Sequence, residues 1–478
     1  MKNLKTVLLI QIIVVSALQT FAQFSGEAKN ASEWSIKAAN TIMSKKSGSY
    51  GAWDYVVGTV LRGFEEVWIK TGDSKYYDYI KSTVDASVGS DGKISGYVKS
   101  DYNIDEIAQG RAVLLLYNKT RAEKYKKAAE ILYDQLQSHP RTSLGGFWHK
   151  SRYEYQMWLD GLYMGSPFYA EYGKVFNKSD AFNDVAKQVF LMENYMRDPQ
   201  TGLLYHGWDE KKIQKWADDS TGLSESFWGR GMGWYGMAIL DILDFIPQNF
   251  QHRDSLIHTF QRFANAIVKY QDESGCWYQV VDQGTRSGNY LEASASCMFV
   301  YALAKGVRLG YLDNTYLDEI EKGYNGIISK FVSGSGTDIK LNKICKSAGL
   351  GQPDSRDGTF GYYVGEDIVS DDGKGLGPFL TAGIEVSRLT QPVALEKRYG
   401  HLNSMDERVS KLEFHHGQTL QAFQFKSAKE QSGLLEIHSI NGKLQYRKQI
   451  TCTPGVNIAN FPDRNFAKGI YKVTIRFD

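Results

Sequence analysis

Between about residue 30 and about residue 390, apolar residues recur at helical spacing in one segment after another. Trp53, Val56, Val57, Val60, Leu61, Phe64, Val67 and Trp68 fall at i, i+3, i+4 and i+7. Ile107, Leu114 and Leu115 continue the pattern, and the stretches 128–136, 181–196, 235–245, 256–270 and 291–307 repeat it. About twelve helices are expected, with no strand ladder between them. The connections are short and rich in Gly, Asp, Asn and Ser, which makes neighbouring helices antiparallel. Only 9 prolines interrupt 478 residues, so the helices can run on. Such a series can close into a double ring or continue as an open solenoid. Its repeats are too irregular for a regular solenoid. The expected fold is therefore all-α, an (α/α)6 barrel over residues 27–390, with loops at one end of the inner ring shaping a cavity.

Both ends of the chain have a different texture. Residues 391–410 are polar and read as a linker. From Lys411 to the end, apolar and polar residues alternate, and Asn441-Gly442 between two such runs is a strong hairpin signal. A small all-β module is expected over 411–478. At the start, Lys2 and Lys5 precede an apolar run from Val7 to Val15 broken only by Gln11. Small residues at Thr20 and Ala22 follow, the pattern of a signal peptide over 1–22 cleaved after Ala22. The run is shorter than the roughly 20 apolar residues a membrane span needs.

Charge narrows the function classes. Lys plus Arg number 56 against 54 Asp plus Glu, a net charge of +2 with none of the basic excess of a nucleic-acid binder. The four cysteines, Cys276, Cys297, Cys345 and Cys452, show no C-x-x-C spacing, and no metal-ligand cluster stands out. Neither a metal nor a cofactor is expected.

Several clusters carry more chemistry than packing requires. In Trp158–Pro167, Asp160 stands among large apolar residues. Lost hydration there would raise its pKa and suit it to hold a proton near neutrality; a helix cap is the plainer reading. Asp105, in Asn103–Arg111, opens an apolar-periodic helix and also reads as a cap. Trp228–Trp234 alternates three glycines with Trp, Arg and Trp ahead of a helix over 235–245. Glycines admit close backbone approach, Arg230 offers a fork for a carboxylate, and the indoles suit sugar faces. Tyr205-His206-Gly207-Trp208 sets an imidazole among aromatics. Trp53-Asp54-Tyr55 precedes another helix, and its rings could equally be core.

The stretches Trp158–Pro167, Trp228–Trp234, Gly288–Ser296 and Gly373–Phe379 resemble those of family 105 of the glycoside hydrolases, the unsaturated uronyl hydrolases, related to family 88. The resemblance spans most of residues 30–390 and implies an (α/α)6 barrel. It implies a substrate left by a polysaccharide lyase: an oligosaccharide whose non-reducing uronic acid carries a C4=C5 double bond. Asp160 would deliver a proton to C4 and then take one from the water attacking C5. Asp105 would support charge or share a proton with Asp160. His206 and Arg230 would hold polar groups of the sugar, Trp228, Trp234 and Tyr55 would wall the cavity, and Met164 would line it. The family's rhamnose-linked substrates come from rhamnogalacturonan or ulvan, and ulvan is slightly preferred here. The tail, with Asn441-Gly442-Lys443 and Gly469-Ile470-Tyr471-Lys472-Val473, resembles a type IX secretion sorting domain. That implies the type IX machinery as a partner and a secreted or cell-surface destination. The competing readings are a polysaccharide lyase on the same toroid and a non-catalytic carbohydrate-binding protein.

Overall fold

The apolar stripes become helices where one face, or every face, can be covered. The computed structural model describes residues 7–10, 22–336, 338–351, 355–390, 411–415, 419–427, 430–439, 444–453, 455–460 and 471–477. Its helical unit runs from Ala22 to Pro392. The helices are α1 (Ala31–Lys45), α2 (Tyr55–Thr71), α3 (Ser74–Asp85), α4 (Gly110–Thr120), α5 (Glu123–Ser138), α6 (Leu159–Val175) and α7 (Asp180–Met196). There follow α8 (Gly229–Leu243), α9 (Arg253–Ile267), α10 (Ala293–Arg308), α11 (Leu317–Phe331), the short α12 (Phe360–Gly365) and α13 (Gly373–Leu389).

Helices α2, α4, α6, α8, α10 and α13 pack side by side in that order, and α13 returns to α2 to close the ring. Outside them, α3 lies on α2, α5 on α4, α7 on α6, α9 on α8, α11 on α10 and α1 on α13. The result is an α/α toroid. Burial separates its two layers. Every residue of α8 and of α13 is buried, whereas α3 buries only a stripe of Tyr76, Tyr79, Ile80, Thr83 and Val84. Inner helices from α2 to α10 are each followed by an antiparallel outer one, and α1 precedes α2 as the outer partner of α13, so the inner helices share one direction. Their N-terminal ends gather on one side of the ring.

Crowding in the inner ring corrects one expectation. Helix α8 starts at Gly229, so the glycines of Trp228–Trp234 lie within the helix and serve packing. A Cβ on Gly233 would stand 2.5 Å from Sδ of Met298 on α10, and one on Gly377 of α13 would stand 2.5 Å from the Thr59 carbonyl oxygen on α2. Helix-to-helix approach, not ligand approach, explains the glycine density.

The short strand pairs between helices were not expected. Gln156–Trp158 pairs with Gly207–Asp209, Val332–Ser335 with Asp338–Leu341, and Ile344–Cys345 with Ile368–Val369. Cys276, Cys297 and Cys345 are buried and unpaired, and among the described residues no group of side chains has the makings of a metal site. No helix among the described residues is long and apolar enough to cross a membrane.

In the second unit, Gln431–Ser439 pairs antiparallel with both Leu444–Cys452 and Tyr471–Phe477, and Val7–Ile10 pairs with the latter. Thr419–Ser427 pairs with Gly455–Asn460 and Lys411–His415. The linker 391–410, the Asn441-Gly442-Lys443 turn and the cleavage position read at Thr20–Ala22, apart from Ala22 itself, lie outside the described residues.

Candidate active site

The N-terminal ends of the inner helices bring together residues far apart in sequence. Trp158 faces Gly207 across the short strand pair, and the Leu159 N–H donates to the His206 carbonyl at 3.0 Å. Helix α6 begins at that point. Asp160 therefore sits in its first turn beside the His206 ring, with Nε2 2.9 Å from Asp160 Oδ2. On the far side of the imidazole, Nδ1 lies 2.7 Å from the Tyr363 hydroxyl. His206 is wholly buried, while Asp160 keeps 14 % of its side chain exposed.

This chain has two self-consistent hydrogen-bond directions. With Asp160 ionised, His206 Nε2–H donates to it and Nδ1 accepts from Tyr363. With Asp160 protonated, the carboxyl donates to Nε2 and Nδ1–H donates to Tyr363. Tyr363 remains a phenol throughout, because burial, then the charges of Tyr362 and Asp160, push its pKa well up.

Asp105 behaves differently. It lies in the turn Ile104–Ile107, whose cap is Asn103, with Oδ1 accepting from the Asp105 N–H at 3.2 Å. Its carboxylate meets Lys150 Nζ at 2.7 Å and His149 Nε2 at 3.4 Å. Burial alone would raise its pKa, but His149 and Lys150 outweigh burial and hold the group below the usual carboxylate range. The two neighbours thus hold Asp105 as a carboxylate. The next residue goes the other way. Burial, then the charges of Asp54 and Asp105, push Glu106 up to about 7.

Tyr55 opens α2 and is half-buried. Burial first, and then the charge of Asp105, raise the pKa of its hydroxyl. Arg230, in the first turn of α8, is 1 % exposed. Its Nη1 donates to the Cys345 carbonyl at 2.5 Å and to Ser294 Oγ at 3.4 Å. Glu292 caps α10, accepts from the Cys345 N–H at 2.9 Å and from Ser294 Oγ, and so fixes both of Arg230's acceptors.

Tyr55, Asp160 and Arg230 thus stand in the first turns of α2, α6 and α8, and Asp105 stands just ahead of α4. The other expected contacts do not face open space. Trp228 is 1 % exposed, stacks on Tyr363 at 5.8 Å and donates Nε1–H to Gln279. Trp234 is 1 % exposed and stacks on Tyr163 at 4.7 Å. Met164, one turn beyond Asp160, belongs to the core. Neighbouring helices cover all three, and His206 is covered in the same way while holding Asp160 through Nε2. His149, Lys150, Glu106 and Tyr363 were missed. Trp148-His149-Lys150 has the same imidazole-beside-aromatic signal as Tyr205–Trp208. Tyr363 gives no such signal, reaching His206 across 157 positions. Two larger cavities lie elsewhere, one of ≈ 70 Å³ beside Ile42 and Phe379 and a groove of ≈ 440 Å³ beside Phe190 and His252; neither holds any of these groups.

The model of Glycosyl Hydrolase Family 88 matches residues 28–390. The chain belongs to that family. A solved Family 105 glycoside hydrolase from C. acetobutylicum ATCC 824 is 46 % identical, with a TM-score of 0.72 over 74 % of this chain and 98 % of the other. The unsaturated rhamnogalacturonyl hydrolase YesR of Bacillus subtilis is 29 % identical over 295 residues, 59 % of this chain and 80 % of its own length. An unsaturated 3S-rhamnoglycuronyl hydrolase of Alteromonas sp. is 22 % identical over 339 residues, 67 % of this chain and 78 % of its own. The protein is a glycoside hydrolase of the unsaturated glucuronyl and rhamnogalacturonyl group, which sets aside the lyase and binding-protein alternatives.

Proposed function

We propose that this hydrolase removes a 4,5-unsaturated uronic acid linked to rhamnose by adding water across its double bond. The observation that carries the reading is the contrast between the two carboxylates. Asp105 is locked ionised by Lys150 and His149, whereas Asp160 has among the described residues no Lys or Arg partner and touches an imidazole able to give or accept a proton. One group is a standing charge, and the other can cycle its proton.

Protonated Asp160 adds its proton to C4, and positive charge develops at C5 and the ring oxygen. The fixed Asp105 charge stabilises that centre. Water attacks C5 and yields its proton to Asp160, which returns the carboxyl to its starting protonated form. The C5 hemiketal opens to a ketone, and the ring oxygen stays on C1 as a hydroxyl. C1, now a hemiacetal, expels the next sugar as an alcohol. In this reading the Arg230 guanidinium answers the charge of the uronate carboxylate.

Relatives named for both rhamnogalacturonyl and 3S-rhamnoglycuronyl substrates support the rhamnose-linked class. The test is a side-by-side assay on unsaturated disaccharides from ulvan and from pectin. Ultraviolet absorbance of the conjugated acid should fall on at least one, with the ulvan product turned over faster. No loss on either, or a rise on intact polymer, overturns the reading. We infer in addition that residues 1–22 direct export and that 411–478 address the chain to type IX secretion. Mass spectrometry of the secreted protein should find both segments removed; an intact exported chain would refute this.

A further inference from the structure

A small cavity lies beside His149, the imidazole partner of Asp105. Its volume is ≈ 10 Å³, and Trp148, His149 and Ser166 are among the residues around it, with Ile104 and Met157 supplying apolar wall. His149 is 3 % exposed and stacks on Trp158 at 4.3 Å. Its Nε2 serves Asp105, but its Nδ1 is buried without a hydrogen-bond partner. Two more polar atoms share that condition, Trp148 Nε1 and Ser166 Oγ. Ser166 sits inside α6 and is 1 % exposed. A helical serine ordinarily bonds back to the carbonyl four residues earlier; this one does not. Gly161 brings α6 close, since a Cβ there would stand 3.2 Å from His149 Nδ1.

Three orphaned polar atoms around one small chamber have a common remedy. A buried polar group left without a partner is costly. A chamber of roughly 10–15 Å³ admits one water, and a buried water wants two to four polar partners. We propose that a single ordered water occupies this chamber, and that Ser166 is, through it, a positioning residue for His149 and hence for Asp105. The water accepts from Trp148 Nε1–H and donates to His149 Nδ1, which leaves Nε2–H aimed at the carboxylate. The Ser166 hydroxyl takes the remaining bond. The inference rests on the proposed electrostatic role of Asp105 only for its effect on rate.

The experiment joins a high-resolution crystal structure of the full protein with Ser166→Ala and Ser166→Thr. One water within hydrogen-bond distance of all three atoms is expected. Ser166→Ala should lower kcat about tenfold at unchanged KM and shift the His149 ring ¹⁵N resonances, and Ser166→Thr should restore both. A dry chamber, or Ser166→Ala with wild-type kcat and unmoved ¹⁵N resonances, overturns the inference. If Ser166→Ala fails to fold, the wild-type chamber decides the matter alone. Should the wild-type enzyme act on no unsaturated uronide, the functional reading fails, while the chamber and ¹⁵N readouts still judge this one.

Discussion

The inner ring holds two buried clusters of charge, and they differ in what their partners leave over. At the N-terminal ends, Asp160 and Asp105 keep 14 % and 13 % of their side chains exposed. On the C-terminal halves, Asp241 of α8 has no exposure and meets Lys305 at 2.6 Å and Arg111 at 2.5 Å, with Arg62 at 3.9 Å. Glu385 of α13 is likewise held by Arg308 and Arg388. Burial would raise the Asp241 pKa, but Lys305, Arg111 and Arg62 drive it far below the usual range. A carboxylate answered by three cations has nothing left for a ligand. It ties α2, α4, α8 and α10 together, and Lys305 in the last turn of α10 also suits that helix's C-terminus. The N-terminal cluster is under-answered, and that surplus is what chemistry can use.

The sharpest way to break this contrast is to neutralise one carboxylate in each cluster. Asp241→Asn should cost about 3–5 kcal/mol in urea unfolding, because buried cations lose their counter-charge. Asp160→Asn should keep near-wild-type stability and still bind substrate, yet lose about 10³-fold or more in turnover. An Asp160→Asn protein that unfolds, or an Asp241→Asn protein as stable as wild type, would erase the distinction. A smaller effect belongs to ring closure. Gly377→Ala sets a Cβ against α2 and should cost about 1–3 kcal/mol in the same melt. No change there would show that α13 and α2 pack less closely than described.

Those glycines also show where sequence reading fell short. Period 3.6 survives in any helix that buries a face, so individual helices were legible from stretches such as Trp53–Trp68 or Ala181–Met196. Glycines in Trp228–Trp234 were misread because a fully buried helix lacks a polar face to mark its start. Asp160 and Asp105 stood out as acids among apolar neighbours, and Arg230 as a guanidinium between indoles. What those indoles face depends on which helix covers them, and spacing within one segment does not carry that. Lys150 and His149 become Asp105's partners only through the loop before Gln156–Trp158. Glu106 was in plain view beside Asp105, but its opposite behaviour arises from burial first and then from the charge of Asp54, 52 positions away.

The next test probes how far the under-answered cluster relies on its backing. Tyr363→Phe removes the hydroxyl that His206 Nδ1 uses in either direction. It should lower kcat about tenfold with little change in KM, and cost about 1 kcal/mol of stability. A change in KM alone would recast Tyr363 as a substrate contact.

The smallest effect expected separates neighbours within the same cluster. Asp105 is ionised across the accessible pH range, whereas Glu106 titrates near 7 against a usual value of 4.5. Folded protein therefore holds the Glu106 proton more tightly than unfolded chain. Between pH 4.5 and about 7 the folded state binds more protons, so this group's contribution to stability is complete at the acid end and declines as pH rises through about 7. Glu106→Gln removes that decline. Thermal melts of wild type and Glu106→Gln from pH 4.5 to 8 should diverge, with the variant gaining relative stability toward alkaline pH. Parallel curves would mean that Glu106 is already ionised, leaving three adjacent negative charges where the present picture has two, and Lys150 would then have to answer more than Asp105.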